Sequence, residues 1–390
     1  MKNCNTPLTF DSVTMQTRFI TTDEELITLK EDWDRLVTSR PETDMPFYSW
    51  DWFYRSWIHF GKPEGRKLFV VAVYESERLV GILPLVSGER KSSGIAYRIL
   101  CFCNTGMMPR NTMYTDSRQN QEAVFRAAWK HLFEHRSLWD MLEFANVIDS
   151  SPFHRFVLEG EHDAGFAMIQ TQGLTSPFLE LSDSVEDYLA GIDKKVRYNI
   201  KRYVKLFETN DKQHTVRVFQ HPHESEEALR LAGEVKEASW KGGTRDAPFF
   251  RFFNDALPVL FANREALIQI ILLENVPIAA SFRLTRNGVF YGFGTDYKQE
   301  YKEHSPGVLL FYYLLHHIIE HGGHAFDFCG GDYNYKKQYT DIVQNHSSFQ
   351  IFHSGMKSRF VYWSKTFLLP LIRKILRKPA DGDFISKRSG

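Results

Sequence analysis

Cysteine is scarce in this chain. Four occur in 390 residues, and Cys4, Cys101, Cys103 and Cys329 stand at no metal-ligand spacing. They also form no disulfide framework for a chain of this length, so a reducing compartment is the simpler setting. An excess of either charge is missing as well. Lys plus Arg number 48 and Asp plus Glu number 48, a balance that argues against nucleic acid as a general partner. Long apolar runs are lacking: "IQIILL" falls far short of the ~18–20 residues that span a bilayer. The start, "MKNCNTPLTFDSVTMQ", has no apolar centre of a secretory signal. A soluble, cytoplasmic protein is expected.

What the chain has in plenty is core-forming material. It is 43% hydrophobic and 25% charged, as a globular protein should be. The length suggests two domains. The 32 phenylalanines point to large cores or an aromatic-lined groove.

Element order repeats along the chain. Residues 22–38 read as a helix, with Leu26, Leu29, Trp33 and Leu36 on one face. After the tryptophan-rich "PFYSWDWFYRSWIHFG", "LFVVAVYESERLVGILPLV" reads as a hairpin turning at Glu75–Arg78. A strand near 97–103, a helix near 117–135 and a strand at 141–145 follow. In the second half a hairpin turns at Glu274–Asn275, the strand "VFYGFGTDY" precedes a helix at 306–320, and the strand "AFDFC" comes after it. This repetition predicts an α/β protein with mixed α+β sheets and duplicated domains. The division falls at residues 1–173, 174–362 and a tail, 363–390.

Between the halves, "VEDYLAGIDKKVRYNIKRYVKLFE" reads as one long helix capped by Ser184. Its apolar stripe runs from Val185 to Phe207. Lys194, Lys195, Arg197, Lys201, Arg202 and Lys205 form either a solvated face or a docking surface for an anion. The apolar-basic piece of the tail either lies on an anionic membrane surface or packs on its own domain, the simpler reading. Membrane contact is expected to be peripheral at most.

The helix at 306–320 opens in a distinctive way. Ser305 before Pro306 predicts a capping hydroxyl and a proline at the first helical position. Gly307 leaves the next position bare, so the amides of Gly307, Val308 and Leu309 would face a ligand at the positive end of the helix dipole. The strand before it and the strand after it both end in glycines and an acid. Two strand ends and one helix end would converge on a crevice. The corresponding helix of the first half begins "TDSRQNQEAVF", without glycine. One working cofactor site, in the second half, is expected. His316, His317, His321 and His324 lack carboxylates at ligand spacing and read as helix-end and surface histidines, so no metal is expected.

"SPGVLL" shortly after "GTDY", followed by "FDFCGGDYNYKKQY", resembles the CelD-like acetyltransferases of the GNAT superfamily, which are associated with cellulose and other exopolysaccharide synthesis. The matching positions are Asp296 and Tyr297, Ser305 to Leu310, and Asp327, Phe328, Gly331, Asp332, Tyr335 and Lys336. "VRYNIKRYVKLFE" and "ASWKGG" are similar to that family's basic helix and Trp-Lys segment. Two departures stand out: the order in Gly294-Thr295-Asp296-Tyr297 is reversed, and Cys329-Gly330 replaces an apolar-Arg pair. The resemblance implies tandem GNAT-like domains, as in the related FemABX peptidyltransferases. It also implies acetyl-CoA or another acyl-CoA as co-substrate, with a small-molecule, glycan or lipid-linked acceptor and a possible polysaccharide synthesis machinery as partner.

On that reading Phe293, Gly294 and Thr295 offer a backbone donor to the thioester oxygen, and Ser305, Gly307, Val308, Leu309 and Lys336 hold the cofactor. Asp332, then Asp296, is the candidate base, and Tyr335 or Tyr339 the acid. Trp240 and Lys241 would line the acceptor site. Two rival readings stand beside this one. A FemABX-like aminoacyl-tRNA-dependent peptidyltransferase would use the basic helix as its RNA surface. A non-catalytic partner of a polysaccharide assembly would use the tail and "YSWDWFYRSW" as contact surfaces.

Overall fold

The computed structural model describes residues 15–103, 107–159, 167–209, 213–239, 242, 247–331 and 336–369. β1 (Met15–Ile20) leads into two helices where one was expected, α1 (Asp23–Thr28) and α2 (Lys30–Thr38), which meet at Leu29. Thr22 and Glu25 close the first of these with a reciprocal capping box. α3 (Trp50–Ser56) starts where the Ser49 hydroxyl accepts from the Trp52 amide. Then come β2 (Lys67–Leu68), β3 (Val70–Glu75), β4 (Arg78–Leu83), β5 (Leu85–Ser92), β6 (Ile95–Phe102) and β7 (Tyr114–Thr115). α4 (Gln121–Glu134), β8 (Met141–Ile148) and α5 (Pro152–Glu159) complete the first half. The β3–β4 hairpin pairs Glu75 with Arg78, as its charged turn predicts.

The second half opens with β9 (Ala167–Glu180). The long helix expected next is broken into α6 (Val185–Gly191) and α7 (Lys194–Glu208). Asp193 causes the break: its side chain accepts from the Lys195 and Val196 amides and starts a new helix. β10 (His214–Phe219), α8 (Ser225–Glu237), α9 (Pro248–Ala262), β11 (Ala266–Leu273), β12 (Val276–Arg286) and β13 (Val289–Tyr297) follow. The β11–β12 turn uses Glu274 and Asn275, at φ 51° and 63°, the left-handed pair that a two-residue hairpin turn demands. A 3₁₀ turn (Gln299–His304), α10 (Pro306–Glu320), β14 (Ala325–Asp327), β15 (Val343–Phe352) and α11 (Met356–Trp363) end the described chain, with a π turn at Ser364–Leu368.

Two sheets result. β1-β3-β4-β7 forms the smaller, and β10-β11-β12-β13-β14-β9-β15-β8-β6-β5-β2 the larger. Each half contains a parallel crossover, β6–α4–β8 and β13–α10–β14, so the repeated element order corresponds to a repeated three-dimensional unit. The larger sheet passes through both halves. Residues 173 and 174 lie inside β9, and β15 sits between β8 of the first half and β9.

Packing unites the halves further. The tryptophan-rich segment, expected in one reading as a contact surface for a partner, is interior. The Trp52 ring lies 4.8 Å from Phe252 and 5.0 Å from Phe293, and Phe47 lies 5.3 Å from Tyr291. The indole N–H groups of Trp33, Trp50 and Trp52 donate to the carbonyls of Tyr48, Leu26 and Met107, which removes the cost of burying them. On the opposite face of the sheet, α10 is enclosed by α6, α7, β11 and β12 through Leu309, Leu310, Leu314 and Ile318.

Candidate functional site

The site is built around a fork in the larger sheet. β13 and β14 pair over three residues, Val289–Tyr291 against Ala325–Asp327. β14 ends there while β13 runs on to Tyr297. Along its other edge β13 skips register against β12: Phe282 faces Gly294 and Arg283 faces Gly292. Phe293 is therefore the extra residue of a bulge, a device that re-aims a strand. The buried Arg283 holds the bulge in shape, donating 2.8 Å to the Gly294 carbonyl and 3.0 Å to the Thr295 hydroxyl. Its guanidinium also lies over the Phe326 ring at 5.6 Å. Phe293, Gly294 and Thr295, expected as one unit, do lie together beyond the fork.

The helix start differs from its expected form in two respects. Ser305 makes no side-chain cap; its backbone is left-handed (φ 50°, ψ 53°) immediately before Pro306, a strained combination for a non-glycine residue. Its carbonyl accepts from Val308 (2.9 Å) and Leu309 (3.3 Å), so those two amides are committed within the helix. Gly307 is left as the open donor of the three. A Cβ placed on Gly307 would meet no atom within 4 Å, so this amide fronts open space at the positive end of a fifteen-residue helix.

The motif residues after β14 brace the fork. Asp327 forms an ion pair with Arg110 of the first half, each 1% exposed, and its other oxygen accepts the Cys329 amide at 2.7 Å. Arg110 continues to Gln344 at 3.0 Å. Lys336, expected on a cofactor phosphate, is buried instead. Its ammonium donates to the carbonyls of Phe328 (3.0 Å), Cys329 (3.4 Å) and Gly330 (3.3 Å) and clamps the turn from the other side. Cys329 sits in left-handed backbone at φ 54°. Burial raises its thiol well above the ordinary range, with the Asp327 carboxylate adding to the effect. Burial likewise pushes Cys101 up to about 11 and Cys103 up to about 12. None of the three is placed to act as a thiolate nucleophile.

Among the candidate acid–base groups, Asp296 lies on β13 and faces α8. Its carboxylate accepts from Lys236 (3.3 and 3.4 Å) and from the Ser239 hydroxyl (3.1 Å). Tyr339 is core: its ring stacks on Phe328 with centroids 5.9 Å apart and lies 4.3 Å from Phe311. Asp332, Tyr335, Trp240 and Lys241 fall outside the described residues. Among the described residues no group of three His, Cys, Asp or Glu is placed to hold a metal.

Arg110 and Arg283 are the site-shaping residues that sequence reasoning missed. A signal existed for each. Arg110 is an isolated cation in "GMMPRNTMY", and Arg283 interrupts the apolar run "IAASFRL". A charge in such company is rarely buried unless it is paired.

With this geometry in place, comparison with known proteins gives a consistent picture. Residues 194–337 match the sequence model of the family described as Acetyltransferase (GNAT) domain. That matched stretch contains the fork, the helix start and the Lys336 clamp. Among curated proteins, no sequence matches this chain. In fold it is similar to the crystal structure of FemX, with 12% identity and a TM-score of 0.58 over 89% of this chain and 99% of that one. It is also similar to a conserved protein of unknown function from Bacteroides thetaiotaomicron VPI-5482, with 12% identity and a TM-score of 0.51 over 86% of this chain and 100% of that one. The likeness extends across both halves, as the tandem arrangement requires.

Proposed function

We propose that the protein transfers an acyl group from acyl-CoA, with acetyl-CoA the first donor to test, to an amine or hydroxyl of a sugar or cell-envelope precursor such as one used for exopolysaccharide. The observation that carries this reading is the fork opening beside an uncapped helix start inside the matched acetyltransferase stretch. The Gly307 amide and the α10 dipole favour the donor's diphosphate. The thioester then lies along β13 in the fork, where the Phe293 bulge turns main-chain groups toward the carbonyl oxygen and stabilises the charge that develops on it. The acceptor lone pair forms a bond to the carbonyl carbon, the C–S bond breaks, and the thiolate leaves with a proton. Asp332 is the first candidate to take the acceptor's proton and Asp296 the second, with Tyr335 as donor to the leaving sulfur. Asp296 would have to give up its contact with Lys236 to act.

Calorimetric titration with CoA and acetyl-CoA tests this reading against Gly307→Glu. Because the space at residue 307 is open, the fold should survive with a melting midpoint near that of the parent. Affinity should drop by at least about a hundredfold as a carboxylate meets the diphosphate. Unchanged affinity would overturn the assignment.

A second reading, aminoacyl-tRNA-dependent peptidyl transfer, is favoured by one observation. The outer face of α7 presents Lys194, Lys195, Lys201, Arg202 and Lys205, all exposed and without a carboxylate partner among the described residues. Titration of tRNA at two salt concentrations separates the two readings, since phosphate contacts at five cations give a steep loss with salt.

A further inference from the structure

α11 and the π turn after it are amphipathic in the opposite sense from an ordinary surface helix. The small polar residues point inward. Ser358 is fully buried and accepts from the His353 amide at 2.9 Å; Ser364 is fully buried and lies 2.8 Å from the hydroxyls of both Ser92 and Ser93. Val361 is buried with them. The large apolar residues point outward. Met356 is 90% exposed, Trp363 47% and Phe367 60%, and Phe360 lies half-buried beside Trp363 at 6.1 Å. These four recur at spacings of four, three and four, which puts them on one stripe. A helix held by serines that displays its aromatics is the reverse of what core packing selects.

Charge along the same stretch is equally one-sided. From Ile342 to Ala380 the sequence has no Asp or Glu, yet it carries Lys357, Arg359, Lys365, Arg373, Lys374, Arg377 and Lys378. Lys357 leans on Asp140 at 3.4 Å, and burial lowers the pKa of Lys365, so those two are partly engaged. Arg359 is exposed. The sequence beyond Leu369, "PLIRKILRK", continues the alternation of apolar and basic residues. No helix among the described residues is long and apolar enough to cross a membrane.

We propose that this face seats the protein on the surface of an anionic phospholipid bilayer, with Met356, Trp363 and Phe367 entering the headgroup region and the acid-free basic segment meeting the lipid phosphates. Charge complementarity selects the anionic lipid. The outward tryptophan and phenylalanine select an interface that is apolar on one side and wet on the other.

Vesicle flotation with the full chain tests this. Vesicles of phosphatidylcholine containing about one-third phosphatidylglycerol should carry the protein with them, and pure phosphatidylcholine vesicles should not. The double variant Trp363→Ser/Phe367→Ser, altered at exposed positions, should keep its melting midpoint and lose binding by about tenfold or more. Lys201→Glu/Lys205→Glu on α7 should bind as the parent does. Parent protein left behind by the anionic vesicles overturns the proposal, and so does equal binding of the double variant. A concentration-dependent dimer that the double variant abolishes would also overturn it, because the face would then belong to a second copy of the chain.

Discussion

The two parallel crossovers share a plan and differ in how each is finished. In β6–α4–β8, the Asn120 side chain accepts from the Glu122 and Ala123 amides, so the helix start is closed from within. Glu122 adds a negative charge to the same first turn. The opening beyond β6 is filled by the chain itself: Asn111 pairs in parallel with Val147, its amide donates to the Asn146 carbonyl at 3.0 Å, and its side chain donates to the Ala145 carbonyl at 2.9 Å. In β13–α10–β14, the helix start has no side-chain cap, Gly307 faces open space, and the strands part after three pairs. An anion approaching the first crossover meets a carboxylate and occupied amides. At the second it meets a free donor. The two crossovers share one plan, and a few capping and plugging residues leave one helix start closed and the other open.

The same segment that plugs the first fork braces the second, since Arg110 adjoins Asn111 and reaches Asp327. Cutting that link should have the largest effect. Arg110→Ala leaves a buried carboxylate alone and should cost about 3–5 kcal/mol in urea unfolding. A cost under about 1 kcal/mol would mean that the two forks are independent. Acid provides the next probe. His346, on β15, has no hydrogen-bond partner for either ring nitrogen among the described residues, and burial with Arg110 nearby lowers it to about 4. The native ring stays neutral while the unfolded chain takes up a proton below about pH 6.5. Stability present above that pH should therefore fall as pH drops toward 4, by up to roughly 3 kcal/mol from this group. His346→Gln should flatten the stability curve over that window; an unchanged slope in unfolding titrations would assign the acid response elsewhere. The smallest effect tests the first crossover alone. Asn120→Ala should cost about 1 kcal/mol through loss of the cap. The stoichiometry of CoA binding in calorimetry should stay at one site, because the Asn111 plug remains.

Much of this was legible in the order of residues. Hairpin turns at Glu75–Arg78 and Glu274–Asn275, the bare Gly307 and the repeated strand–helix–strand order are local signals, and each corresponds to an element in the structure. The departures were of two kinds, some local, such as the helix break at Asp193, and some long-range. Lys336 belongs to a turn that folds back on the carbonyls of Phe328–Gly330, and nothing local reveals that. An acid between Phe326 and Phe328 pointed to a structural partner for Asp327, but not to which one, since Arg110 lies 217 positions away. Ser305 looked like a cap because serine before proline usually is one. The 3₁₀ turn that delivers it, with the Ser305 amide bonded to Lys302, imposes the left-handed backbone instead. The tryptophans looked adhesive because their burial depends on α9, some two hundred residues on.

β15 gives the molecule a particular order of assembly. A ribosome finishes the first half, including β8, almost two hundred residues before it makes the strand that covers β8's open edge. Until Val343–Phe352 emerges, that edge and the neighbouring one of β9 stay unpaired, and either is able to recruit a foreign strand. Closure of the larger sheet across the two halves therefore comes with the last of its strands to be synthesised.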